Sequence, residues 1–207
     1  NNVGVGGKAL GALTEGDGNV ALGFEAALAL TEGGNNVCIG ERAGDLMTTS
    51  GSNVLVGANA GGAISAGQVT TDGTVAIGAN ALTALTSGAG NTAVGYQSAV
   101  AMTKGRYNTA LGWRALYTED VGDNSTAVGN GALFSQNSNS DNEITGNVGL
   151  GYQTGYNNVE GQNNTYLGYW AGKGGTGSHN GNTGVGKSAL ASITLGGSNV
   201  CVGVNAG

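Results

Sequence analysis

Hydrophobic and polar positions alternate along this chain in one short unit that returns twelve times: a polar residue, Val or Thr, any residue, an aliphatic residue, then Gly. The units run from Asn2 to Gly6, Asn19 to Gly23, Asn36 to Gly40, Asn53 to Gly57, Thr74 to Gly78 and Asn91 to Gly95. They continue from Asn108 to Gly112, Ser125 to Gly129, Asn147 to Gly151, Asn164 to Gly168, Asn182 to Gly186 and Asn199 to Gly203. Successive closing glycines stand 17, 17, 17, 21, 17, 17, 17, 22, 17, 18 and 17 residues apart. A fixed period of this kind is the signature of a solenoid, in which stacked neighbours bury what one repeat cannot bury alone.

Within each unit the period of two predicts a short β-strand. The aliphatic pair, for example Val20 and Leu22, is expected to face the core. The middle position is then on the opposite face and is kept small (Gly4, Ala21, Cys38, Ala76, Ala93, Ala110), with Leu55 and Tyr166 as large exceptions. A surface kept that small implies something packed closely against it.

A second apolar set follows each closing Gly at offsets +3, +4 and +7, as in Ala26, Ala27 and Leu30 or Ala81, Leu82 and Leu85. At about 100° per residue these positions share one arc, which predicts a short helical turn. Glycines at +10 (Gly16, Gly33, Gly67, Gly88, Gly105, Gly122, Gly196) stand where a helix C-cap would. One conflict accompanies this reading: strands stack at about 4.8 Å whereas helices pack at about 8–10 Å. A second strand in place of the helix, giving two-stranded β-roll coils, is the rival. The fold class expected is therefore a mainly β repeat solenoid of twelve coils. Residues 1–207 form a single array, read as a piece of a longer fibrous chain. The recurrent Asn is expected to form a stacked amide ladder at an αL-tolerant corner.

Composition narrows the function. Gly accounts for 43 of 207 residues, Pro is absent, and only 10% of residues are charged. The net charge is −6, and the seven cations are scattered, which argues against a nucleic-acid groove. No apolar stretch reaches the about 18–20 residues of a membrane-spanning helix. Glu119, Asp120 and Asp123 form the densest acidic group and would be the candidates for carboxylate chemistry on polysaccharide, but they read as a solvated loop. His179, the single histidine, reads as an exposed loop residue. Cys38 and Cys201 carry no metal or redox spacing. No catalytic, cofactor-binding or metal residue is singled out, and an enzyme is not expected.

Ten of the eleven aromatics lie beyond residue 95. Tyr96, Trp113, Tyr152, Tyr169 and Trp170 are the candidate receptor-binding residues, suited to stacking on sugars or meeting a protein; the other reading has the aromatics filling wide coils or contacts between copies. The longer repeats place polar loops around 62–73 and 135–146.

The units Thr74-Val-Ala-Ile-Gly78 and Asn91-Thr-Ala-Val-Gly95 resemble the head repeats of trimeric autotransporter adhesins, and Asn91-Thr-Ala-Val-Gly-Tyr-Gln97 is similar to repeats of phage tail fibres. Adhesin heads are trimeric left-handed parallel β-rolls with a somewhat shorter repeat than the 17 residues seen here. The thin coil and this resemblance imply a parallel homotrimer. They imply a structural and adhesive fibre segment on a virion or cell surface, attaching to a host glycan or protein receptor, without membrane insertion. A polysaccharide-acting enzyme and a monomeric binding solenoid are the alternatives.

Overall fold

The computed structural model describes residues 1–64, 71–174, 177 and 179–207. Its strands are β1 (Val3–Val5), β2 (Val20–Leu22), β3 (Val37–Ile39), β4 (Val54–Val56), β5 (Val75–Ile77) and β6 (Thr92–Val94). They continue as β7 (Thr109–Leu111), β8 (Thr126–Val128), β9 (Val148–Leu150), β10 (Thr165–Leu167), β11 (Thr183–Val185) and β12 (Val200–Val202). All twelve form one parallel sheet in chain order. Register holds through the longer repeats: Leu55 pairs with Ala76, and Ala127 with Gly149. The chain is thus a parallel β-solenoid, and eleven steps of about 4.8 Å make it about 53 Å long.

The orientation of the strands is the reverse of the expectation. The middle residue of each strand points inward, and the aliphatic pair points out: Ala21 is fully buried while Leu22 is 47% exposed. A three-residue strand closed by a tight return encloses a thin interior, and only small side chains fit there. Would-be side-chain atoms on Gly4 already lie 3.5 Å from Leu10 Cδ1, and on Gly44 3.3 Å from Cys38 Sγ. The small middle positions therefore mark the core face.

The second leg is neither a helix nor a strand; no helix occurs among the described residues. Instead it is a ribbon of three overlapping β-turns, the last closed by Leu13 N–H donating to Leu10 O at 3.2 Å. Ala9 N–H donates to Gly6 O and Gly11 N–H to Lys8 O, with φ of 62° at Lys8 and 53° at Leu10. An i+3 bond with positive φ at the third residue is the type II signature. The same two offsets carry positive φ in later coils, at Glu25 and Ala27 and at Arg114 and Leu116, which an α-helix does not tolerate. The intervening N–H groups point along the rod: Leu10 N–H donates to Ala26 O at 3.1 Å and Ala12 N–H to Leu28 O at 3.0 Å. Because this leg also bonds coil to coil, it stacks at strand spacing, and the mismatch with helix packing does not arise. Offsets +3, +4 and +7 still face inward, as the buried Ala26, Ala27 and Leu30 show.

Glycine at +10 has a different cause from a helix cap. A Cβ on Gly16 would sit 2.2 Å from Gly33 O, and on Gly33 2.1 Å from Ser50 O, so at these two positions the neighbouring coil's backbone excludes a side chain. Gly67 lies outside the described residues, as do 65–70 of the first long loop.

The Asn ladder runs along the interior corner. Asn19 Oδ1 accepts from both the backbone N–H and the Nδ2 of Asn36 at 3.0 Å, and Asn36 Nδ2 also donates to Ser50 O at 3.0 Å. Thr74 and Ser125 replace Asn in two coils, and their N–H groups still donate to Asn53 Oδ1 and Asn108 Oδ1. The αL corner falls one residue earlier than expected, at Gly18, Asn35 and Ser52.

Candidate functional site

Two surfaces stand out on the rod. The first is the outward face of the sheet. Its two side-chain columns, of twelve residues each, hold Val, Ile, Leu and five Thr (Thr92, Thr109, Thr126, Thr165, Thr183), with no charged group.

The second is the position after each closing Gly, two residues past the strand. It carries Phe24, Tyr96, Trp113, Tyr152 and Tyr169, all exposed. Four of the five candidate receptor-binding residues thus share one column, although not as one cluster. Tyr152 and Tyr169 stack with ring centroids 5.2 Å apart, and Tyr169 meets Trp170 at 4.6 Å. Trp170 is the next residue along, its Nε1 donating to Gln153 Oε1 at 3.1 Å and its ring covered by Lys173 Nζ at 4.2 Å. Trp113 lies three coils away under the Arg114 guanidinium, 4.4 Å from its ring centroid. A second aromatic ladder, Tyr117, Phe134 and Tyr156, stacks at 4.8 and 4.7 Å. It escaped the sequence reading, yet all three occupy offset +5 from their closing glycines. In these ladders each ring covers its neighbour, so part of the aromatic set joins coil to coil.

The acidic group is not a solvated loop. Glu119 is fully buried at offset +7, where earlier coils place Leu30, Met47 and Met102. Its carboxylate accepts from Gly122 N–H at 2.7 Å, Gln136 Nε2 at 2.7 Å and Ser138 N–H at 3.2 Å. Those donors offset the cost of burying it. Gln136 and Asn158 continue the same offset, and Gln136 Oε1 accepts from Asn147 Nδ2 at 2.9 Å. A polar seam therefore separates the long apolar core, ending at Leu133, from a smaller one around Tyr166, Ala171 and Leu190. Asp123 is also buried and accepts from Arg106 N–H at 2.7 Å; Asp120 accepts from Thr103 Oγ1.

His179 is buried, against the expectation of an exposed loop residue, and its Nδ1 lies 3.1 Å from Tyr166 Oη. Burial pushes the Tyr166 phenol well above its ordinary range. The loop at 135–146 is held against the rod, with Lys104 paired to Asp141 at 3.1 Å and Gln162 bonded to Glu143. Among the described residues no three His, Cys, Asp or Glu side chains group as a metal would require.

These features define a repeat protein of the parallel β-solenoid class. No protein-family model, curated protein or solved structure matches the chain.

Proposed function

We propose that this chain is a structural and adhesive segment of a homotrimeric fibre, a phage tail fibre or cell-surface adhesin, that takes part in attachment to a host or other surface. The observation that carries this reading is the unbroken parallel register from β1 to β12. Each coil meets only its neighbours, so the unit extends in length without changing its cross-section, as a spacer or shaft needs. The exposed aromatic column of Tyr96, Trp113, Tyr152 and Tyr169 supplies apolar bodies with polar tips, the side-chain chemistry that meets sugars and protein receptors. The partner classes are a surface glycan or a protein receptor, and the location is the virion or cell exterior.

Retention of the labelled chain on cell-envelope preparations and on a glycan array tests attachment. Binding that falls at least tenfold in Trp113→Ser with Tyr169→Ser, with the β-sheet circular dichroism unchanged, is the expected result. Absence of binding to every surface, or binding indifferent to both substitutions, contradicts the adhesive reading.

A further inference from the structure

We infer that the attachment surface is the turn ribbon that follows β6 to β10, and that its ligand is an acidic glycan. A carboxylate or sulfate of that glycan binds the Arg114 guanidinium while its sugar rings lie against Tyr96 and Trp113. The inference rests on the attachment reading above and gives it a ligand class and a specificity-determining residue.

Arg114 is a cation without a protein counter-ion. Lys8 and Arg42, at the same offset of +2, share Glu25 across neighbouring coils, and Lys104 is paired with Asp141. Among the described residues no ion pair engages Arg114. Its side chain is nevertheless held in place: Nε donates to Gln97 Oε1 at 2.8 Å, and the guanidinium carbon lies 4.4 Å from the Trp113 ring centroid and 5.0 Å from that of Tyr117. One of the five guanidinium N–H donors is used in this way. The remaining four, on Nη1 and Nη2, have no acceptor among the described residues, and they form the planar fork that meets oxyanions two oxygens at a time. Because the rings and Gln97 already fix the side chain, little of its freedom is left to lose on binding. The fold does not call for arginine here. Offset +2 has positive φ in all twelve coils and holds Asn59, Asn80 and Gly131 in three of them.

The surroundings select the occupant. From Ala79 to Lys173, offsets +1 to +6 carry no carboxylate. The six acids of that stretch come at +7 or later, inside or beyond the ribbon, and Glu119 and Asp123 among them are buried. The same offsets hold eight of the eleven aromatics and two cations, Arg114 and Lys173. Lys173 Nζ covers the Trp170 ring at 4.2 Å, three coils and so about 14 Å along the rod from Arg114. On a chain of net charge −6, this ribbon is a face that attracts an anion where the acidic faces repel one. Exposed Tyr96 and Trp113 offer an apolar body to a sugar ring, and an extended acidic glycan laid along the ribbon passes both cations.

Affinity electrophoresis through gels holding polygalacturonate, dextran sulfate or dextran tests the inference, the first two separating carboxylate from sulfate. At least one polyanion is expected to retard the chain at a concentration at least tenfold below that of dextran. Arg114→Gln, which places there the residue found at Gln97 and Gln153, is expected to need at least tenfold more polyanion with its β-sheet circular dichroism unchanged. Lys8→Gln, on a paired cation of the first coil, migrates as wild type does. Should Arg114→Gln lose its fold, Arg114→Asn replaces it, since Asn59 and Asn80 hold the same offset. Retardation by neither polyanion, or by dextran equally, overturns the inference. So does an Arg114 variant that binds as wild type does, or a Lys8→Gln variant weakened as much. Each of these results leaves attachment itself standing, because that reading falls only when the chain is retained on no envelope preparation and no glycan array.

Discussion

The ring of Tyr166 occupies the space a side chain on Gly172 would need: a Cβ there would lie 2.3 Å from the ring carbons. Gly149 and Gly184 flank Tyr166 in the sheet, and Gly155 lies on its other side, its would-be Cβ 3.1 Å from the ring. The one aromatic middle position is thus matched by surrounding glycines, as Leu55 is matched by Gly44 and Gly61, whose would-be Cβ atoms fall 2.7 and 2.9 Å from it. Gly172→Ala meets both that ring and a φ of +59°. It is expected to cost about 2–4 kcal/mol in urea unfolding, from overpacking and left-handed strain together. Adding Tyr166→Ala relieves the clash, so the two losses sum to more than the double variant's loss. Additive losses would show that the ring lies elsewhere.

The side chain of Asn108 ties its coil to the next, while its N–H donates to Asn91 Oδ1 of the coil before at 2.9 Å. Its Nδ2 donates to Gly122 O at 2.8 Å and its Oδ1 accepts from Ser125 N–H at 2.8 Å. Asn108→Leu leaves both buried partners without a bond, at about 1–3 kcal/mol each. A shift in the urea midpoint equivalent to about 2–6 kcal/mol is expected, against a much smaller shift for Asn199→Leu in the less buried last coil. Equal shifts would remove the ladder's structural role.

The two thiols differ in exposure. Cys38 is fully buried, and burial pushes its thiol pKa up to about 12, whereas Cys201 is partly exposed. Ellman's reagent is expected to titrate one thiol in the native protein and two in denaturant, and Cys201→Ser abolishes the native signal. Rapid native labelling of Cys38 would contradict the inward orientation of the strand's middle residue.

Glu25 accepts from Lys8 Nζ at 2.9 Å and from Arg42 Nε at 3.1 Å, bridging successive coils on the surface. The Lys8 hydrogen bond is the main cause that holds its carboxyl below the ordinary 4.5. A lowered folded-state pKa contributes stability above the unfolded value, which is lost as pH falls through the folded one. The melting-temperature advantage of wild type over Glu25→Gln is therefore expected at pH 7 and gone in strong acid, and smaller in high salt. An advantage that persists at low pH would assign it to something other than the ion pairs.

The period, the twelve strands and their order were legible because each repeat carries the same five-residue unit. The orientation was not. Val20 and Leu22 look like core by hydrophobicity, yet the interior admits only Ala21, and the decisive signal was the smallness of the middle position. The second leg misled for a related reason: offsets +3, +4 and +7 mark one inward face in a helix and equally in a turn ribbon, and only the positive φ at residues such as Leu10 and Arg114 separates the two. Glu119 and His179 were read from their polarity as solvated, although Glu119 shares an offset with Leu30 and Met47, which places it inside.

Distances along the rod test the stacked-coil account most directly. In a chain with Cys38→Ala and Cys201→Ser, spin labels are attached through Asn35→Cys paired with Asn124→Cys, Asn163→Cys or Ser198→Cys, all at the same exposed corner of β3, β8, β10 and β12, and diluted with unlabelled protein. At about 4.8 Å per coil, electron–electron resonance is expected to return about 24, 34 and 43 Å for the three pairs. Distances that fail to grow in proportion to the number of coils between the labels would contradict the solenoid itself.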